Sequence, residues 1–174
     1  THTPGLLEML GIPYVGSSPL THGLALDKVV TKMILLQRGL PTPNYWVLEG
    51  PDDPGAEAVI FPVIVKPKDE AVSFGLTIAH DQEELRAAVA TIHGAFQASS
   101  LVEAYIPGRE FNVGLLGNDP PQALSPVELL FGEGPDIYTY EDKTAKSGRT
   151  LQKVCPPDLP KERIEELQHL AREA

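Results

Sequence analysis

Near residue 103 the rhythm of apolar residues changes. Upstream, the compact β-branched run Val63-Ile64-Val65, closed by Lys66-Pro67, reads as a buried strand. Leu76 to Ala79 is expected to pair with it after a loop. Asp81-Gln82-Glu83-Glu84 has capping-box spacing, and Leu85, Val89, Ile92 and Phe96 then recur at helical intervals before a strand at Leu101-Val102. Downstream, Pro107-Gly108 separates two extended runs, and Phe111, Val113 and Leu115 alternate with smaller or polar residues. Gly117-Asn118-Asp119-Pro120 reads as a turn, and Ala123 to Leu130 as a third extended run. Strands joined only by turns pair antiparallel, whereas a parallel repeat needs a crossover helix. The expected class is α+β, in two lobes with mainly antiparallel sheets and flanking helices, meeting near residue 103.

The rest of the chain fits around these lobes. Gly5 to Leu10 is a short apolar helix ending at Gly11, followed by the loop Ile12 to Ser18. Asp27 is the expected N-cap of a helix carrying Val30, Met33, Ile34 and Leu36, with Gly39 and Pro41 punctuating its end. Tyr45 to Leu48 reads as a strand and Glu49 to Glu57 as a loop. After Gly132 to Gly134 comes a polar segment, Tyr138 to Thr150. A terminal helix has Ile164, Leu167 and Ala171 on one face, with Asp158 as its expected N-cap.

Composition narrows the class of partner. With 42% apolar and 22% charged residues, the chain reads as an ordinary globular protein. Its net charge of −10 disfavours nucleic acid and anionic lipid, so a polyanionic ligand must meet a local group of lysines. No apolar run approaches the roughly 18–20 residues of a membrane span. The start, Thr1-His2-Thr3-Pro4, shows no signal-peptide pattern, and the single Cys155 excludes an internal disulfide, which together point to the cytoplasm.

Few residues suggest chemistry by themselves. Lys66 ends a buried strand and is fixed by Pro67, so its ammonium is expected at the sheet rim where a phosphate can sit, or else as a snorkelling surface lysine. The loop Lys68 to Gly75 between two strands suits phosphate wrapping by backbone N–H groups, although only Gly75 is glycine. Glu103-Ala104-Tyr105-Ile106 can offer backbone groups and flat or apolar contact to an adenine, with Glu110 near ribose hydroxyls, or all five can be plain strand residues. Lys143 and Lys146 read as solvated charges. The histidines have no metal-ligand spacing, and nothing suggests a hydrolase triad.

In order, several blocks say more: Leu6-Leu7-Glu8-Met9-Leu10-Gly11-Ile12-Pro13-Tyr14-Val15-Gly16-Ser17, Leu26-Asp27-Lys28, Gly39-Leu40-Pro41-Thr42-Pro43, and Phe61-Pro62-Val63-Ile64-Val65-Lys66-Pro67. They continue with Leu101-Val102-Glu103, Gly108-Arg109-Glu110-Phe111, Tyr138-Thr139-Tyr140-Glu141-Asp142-Lys143, and Cys155-Pro156. Over nearly the whole chain this resembles the D-alanine–D-alanine ligases of the ATP-grasp superfamily. The resemblance implies an ATP-grasp fold incomplete at both ends: 1–18 a remnant of the N-terminal domain and linker, 19–102 the small lobe, and 103–174 the first part of the large lobe. It implies an enzyme that makes an acyl phosphate from a carboxylate and ATP, from which an amine then displaces phosphate. By resemblance, Lys28 and Lys66 contact the ATP phosphates, Ser73 and Gly75 belong to the closing loop, Glu103, Ala104, Tyr105 and Ile106 hold adenine, Glu110 the ribose, and Lys143 a phosphate. Mg2+ ligands are expected beyond Ala174, so the isolated chain is expected to be inactive. The implied partners are a nucleotide and an amino-acid substrate, with no nucleic acid or membrane, and a homodimer is the parent assembly to test.

The chain also departs from that family. Dipeptide ligases carry Glu-Gly-Ser-Ser-x-Gly in the phosphate loop, where this chain has Glu70-Ala71-Val72-Ser73-Phe74-Gly75. The first-substrate tyrosine after the Tyr-Glu-x-Lys block is Thr144, and Ala104 stands where a lysine is common. Two alternatives follow: an ATP-grasp ligase for a different amino or hydroxy acid, or a non-catalytic nucleotide-binding module.

Overall fold

A computed structural model of the chain describes residues 2–134 and 136–174. Thr1, the first residue of the expected 1–18 segment, and Pro135 lie outside them. The chain divides into two units, residues 1–36 with 42–105, and residues 37–41 with 106–174.

In the first unit, helix α1 (His2–Met9) contacts α2 (Pro19–Leu26). The second helix falls within a stretch the sequence left unread, and Ser18 starts it by accepting from Thr21 N–H at 3.2 Å. Helix α3 (Lys28–Gln37) is capped as expected, with Asp27 Oδ1 accepting from Val29 and Val30 N–H at 2.9 and 3.1 Å. Its buried face differs from the expected one. Met33, Ile34 and Leu36 are exposed, whereas Lys32 is buried. The face that turns inward carries Lys28 and Lys32, which bond to the loop carbonyls and to Glu103.

Strands β1 (Tyr45–Leu48), β2 (Val63–Pro67), β3 (Thr77–Ala79) and, after helix α4 (Gln82–Phe96), β4 (Ser100–Ala104) form an antiparallel sheet in the order β1-β4-β2-β3. Alternation in β2 puts Val63 and Val65 on one face, where they pack with Leu48, Ala79, Val102 and the α4 residues Leu85, Ala88, Val89 and Ile92. The expected cap of α4 is half realised. Asp81 accepts from Glu84 N–H at 2.9 Å, but the Glu84 carboxylate turns to His80 N–H at 2.8 Å instead of closing the box. The opposite sheet face carries Lys66 and Glu103, diagonal neighbours because Ile64 pairs with Glu103 and Lys66 with Leu101.

In the second unit the expected meander is interrupted. Strand β5 (Glu110–Asn112) is followed by a small ladder of β6 (Leu115–Leu116) and β7 (Gln122–Ala123). The run read as Ala123 to Leu130 is two strands, because buried Pro126 separates β7 from β8 (Val127–Phe131). Strand β8 pairs antiparallel with β5 and with β9 (Leu151–Val154), while a short helix, α5 (Tyr140–Lys143), precedes β9. Helix α6 (Lys161–Glu173) starts after Pro160 with no side-chain cap, so Asp158 is not its N-cap. Its Gln168 donates to Leu124 C=O at 3.1 Å, behind the half-buried Ile164, Leu167 and Ala171.

Candidate functional site

In the first unit, α3 and β2 meet at the base of the loop 68–75. Lys28 N–H donates to Lys68 C=O at 3.1 Å, and its ammonium donates to the carbonyls of Pro67 at 3.0 Å, Lys68 at 3.3 Å and Glu70. Lys68 in turn pairs with Asp27 at 3.0 Å. Lys28 is thus a staple of the loop base. Burial, and next the positive charge of Lys66, lower its pKa. The far end of the loop is held by apolar contact, with the Phe74 and Phe96 rings edge-to-face at 5.3 Å. Gly75 is required there. Its φ is +74°, and an added Cβ would meet Pro67 Cγ at 3.1 Å and Phe96 Cε2 at 3.2 Å. Between these anchors Val72 and Ser73 both have positive φ, 55° and 60°, and Val72 is 58% exposed.

Behind the loop lies a chain of buried charges. Lys32 Nζ pairs with Glu103 Oε1 at 2.6 Å, and Lys66 Nζ lies against Oε2 of the same carboxylate. Side-chain exposure grades outward, from 5% for Lys32 through 10% for Glu103 to 23% for Lys66. Lys32 also donates to Thr42 Oγ1 at 2.7 Å and sits 5.0 Å from the Tyr45 ring centroid. Burial alone raises the pKa of Glu103, but Lys66 and Lys32 together more than offset that and hold it below the usual carboxylate value. The Lys66 ammonium therefore rests on a carboxylate at the end of its strand, instead of standing alone at the rim. The Glu103 side chain faces lysines, and its backbone lies in the central strand, paired with Ile64 of β2 and opposite Tyr45 of β1. Ala104 N–H goes to Asn44 C=O at 2.9 Å and Tyr105 N–H to Pro62 C=O at 3.0 Å, which removes those two amides from base recognition. Ile106 begins the second unit and is exposed.

In the second unit, Glu110 and Lys143 come near each other. Burial raises the pKa of Glu110, and the charge of Lys143 opposes that rise. Lys143 ends α5, 5.0 Å from the Tyr138 ring centroid. The helix is held by Asp142, whose carboxylate closes a capping box with Thr139 and takes Arg149 Nε at 2.6 Å as well as Arg149 Nη2. Thr144 Oγ1 donates back to Tyr140 C=O at 2.9 Å. Arg109 grips the buried Glu128 with Nε and Nη2 at 2.5 and 2.7 Å, which ties the start of β5 to β8. Among the described residues no three His, Cys, Asp or Glu side chains converge on a metal position. No helix among them is long and apolar enough to cross a membrane.

Of the residues singled out from sequence, Lys28, Lys66 and Glu103 gather around one loop base, and Ser73 and Gly75 lie in that loop. Ala104 and Tyr105 follow on β4 and its exit, and Glu110 and Lys143 converge in the other unit. Lys32 and Arg149 were missed. The one signal for Lys32 is its place four residues after Lys28, on the same side of the helix.

Residues 34–174 match the family model described as D-ala D-ala ligase C-terminus. The chain belongs to that family. It is α+β with the ATP-grasp fold. A D-alanine–D-alanine ligase of Desulforudis audaxviator is 38% identical over 98% of this ligase-family chain and 56% of its own length. An uncharacterized protein, y4sG, of Sinorhizobium fredii is 43% identical over 91% of the chain and 47% of its own length. A D-alanine–D-alanine ligase of Bacillus anthracis, solved in complex with ATP, superposes with a TM-score of 0.73 at 25% identity, over 98% of this chain and 53% of that one. The family chain thus spans about half the length of the curated relatives it matches.

Proposed function

We propose that this chain is the ATP-binding part of a cytoplasmic carboxylate–amine ligase. In the proposed reaction the substrate carboxylate attacks the γ-phosphorus of ATP and ADP leaves. An amine then attacks the acyl carbon and phosphate leaves. One observation carries this reading: in a chain of net charge −10, Lys28 and Lys66 gather at the base of one glycine-ended loop, with Lys32 buried behind them. Concentrated ammonium groups neutralise phosphate charge, and positioning plus neutralisation is most of phosphoryl-transfer catalysis. Lys143 and Glu110 of the second unit are proposed to meet phosphate and ribose, and Ala104, Tyr105 and Ile106 the adenine. Magnesium is proposed for the reaction of the whole protein, as is homodimeric assembly. The test is calorimetry of ATP with the wild-type chain and with Lys66→Ala and Lys143→Ala. Weak binding by wild type is expected, with losses on the order of tenfold or more in each variant. No heat at millimolar ATP, or equal binding by all three proteins, would refute the site.

A second reading concerns the substrate, and Val72 and Thr144 support it. Val72 is exposed at the loop tip and has no polar atom, and the Thr144 hydroxyl turns back onto its own helix. A site lacking a hydroxyl and a phenol is suited to a first substrate other than D-alanine, bulkier or more apolar. A panel of D- and L-amino acids, scored by ADP formation with the full-length protein, tests this. D-alanine as best substrate with ordinary turnover would overturn it.

A further inference from the structure

Lys32 has no exposed surface with which to meet a ligand, yet it is bound into the charge chain behind Lys66. Its Nζ reaches Glu103 Oε1 at 2.6 Å and Thr42 Oγ1 at 2.7 Å, with the Tyr45 ring on another side. Glu103 is a single buried carboxylate shared by two ammonium groups, one deep and one nearer the surface. A phosphate arriving at Lys66 competes with that carboxylate for the outer ammonium. If Lys66 leaves and nothing else pairs Glu103, a buried carboxylate is left unpaired, which is costly.

We propose that Lys32 is a positioning residue for nucleotide binding, the internal counter-ion that keeps Glu103 paired while Lys66 transfers to phosphate. This rests on the proposed function above. The charged and titratable groups facing Glu103 are Lys32 from α3, Lys66 from β2 and Tyr45 from β1. Around Lys66 stands Lys28, itself influenced by Asp69, Glu70 and Glu103. With Lys32 present, Glu103 stays ionised before and after nucleotide binds. With Lys32 neutralised, Lys66 is its remaining lysine, and withdrawing Lys66 drives the carboxylate to take up a proton. The folded, nucleotide-bound pKa of Glu103 then lies above that of the free protein, so affinity improves as pH falls through that window.

The measurement is ATP titration of the wild-type chain, Lys32→Met and Lys32→Arg by calorimetry in buffers of different ionisation enthalpy, between about pH 5.5 and 8. Wild type is expected to take up protons only as far as ATP itself titrates. Lys32→Met is expected to bind on the order of tenfold more weakly at the alkaline end, to recover toward the acid end, and to take up close to one additional proton per ATP. Lys32→Arg, which restores the charge, is expected to behave as wild type. A purely structural lysine would change affinity without changing the proton count. Lys32→Gln, hydrogen-bonding but neutral, replaces the methionine variant if that one does not fold. Excess proton uptake by wild type overturns the inference without any variant. Wild-type ATP binding with the neutral variant matching it in affinity and proton count overturns this inference alone. Absence of ATP binding by wild type overturns both this and the proposed function.

Discussion

Replacing Asp142 by asparagine removes one charge and almost no volume from the segment that presents Lys143. The Asp142 carboxylate accepts from Arg149 Nε at 2.6 Å and Nη2, from Thr139 N–H at 2.9 Å and from Thr139 Oγ1 at 2.8 Å, and its side chain is fully buried. Arg149 stays ionised in the variant, but one acceptor oxygen becomes an NH2 facing donors; hydrogen bonds to charged groups are worth about 1.5–3 kcal/mol, so the loss is expected to be roughly 2–3 kcal/mol. The loss falls on α5 and the turn after it, whose amides bond locally: Lys143 to Thr139, Thr144 to Tyr140, Ala145 to Asp142 and Lys146 to Glu141. Hydrogen exchange at these four amides is expected to quicken by roughly 30–140-fold, at about 1.4 kcal/mol per decade, with the β8–β9 ladder unchanged. The acid response supplies the sign. Arginine pairing depresses the folded pKa of Asp142 far below its ordinary 3.8, so its stabilisation is complete above that value. It declines as pH falls below 3.8 toward the depressed folded value, and the asparagine variant lacks that component. Unchanged exchange at the four amides, or the same acid profile in both proteins, would refute the reasoning.

Two further changes test the first unit. Asp81→Ala removes the α4 cap bond to Glu84 N–H, and chemical denaturation is expected to show a loss of about 1 kcal/mol. Gly75→Ala places a Cβ at positive φ against Pro67 and Phe96, and a loss of more than about 1 kcal/mol is expected in the same assay, with weaker ATP binding.

Local signals were legible where local physics decides. The β-branched run at β2, the Asp27 cap and the apolar spacing of α4 each concern neighbours in the chain, and each element lies where its pattern places it. Long-range charge pairing was not legible. Nothing in its neighbourhood marks Lys32 as buried; its partner carboxylate, Glu103, comes from β4, 71 residues away. Asp142 and Arg149 sit in a segment whose composition reads as polar loop, yet their pairing makes it the support of a helix. The meander was over-read for a related reason. Alternation identifies extended chain but not its partner, and Pro126 ends one ladder before the next begins. Asp158 has the right residue type for a cap, but its carbonyl accepts from Arg109 at 3.1 Å and the helix starts later.

The departures at Val72 and Thr144 acquire a physical meaning from where the loop is anchored. Its base is held by Lys28 on the carbonyls of Pro67, Lys68 and Glu70, and its return by Phe74 and Gly75 against Phe96 and Pro67. Val72 belongs to neither anchor. It occupies the exposed tip, and its side chain is free to vary without disturbing the lysines behind it. Thr144 likewise follows the last residue of α5, whose position Asp142 and Arg149 secure from the other side. In each unit the groups proposed to meet nucleotide are tied down by buried charge, while the altered positions lie just beyond those ties. Substitutions placed in this way leave the proposed phosphate lysines where they are, while the proposed choice of carboxylate changes.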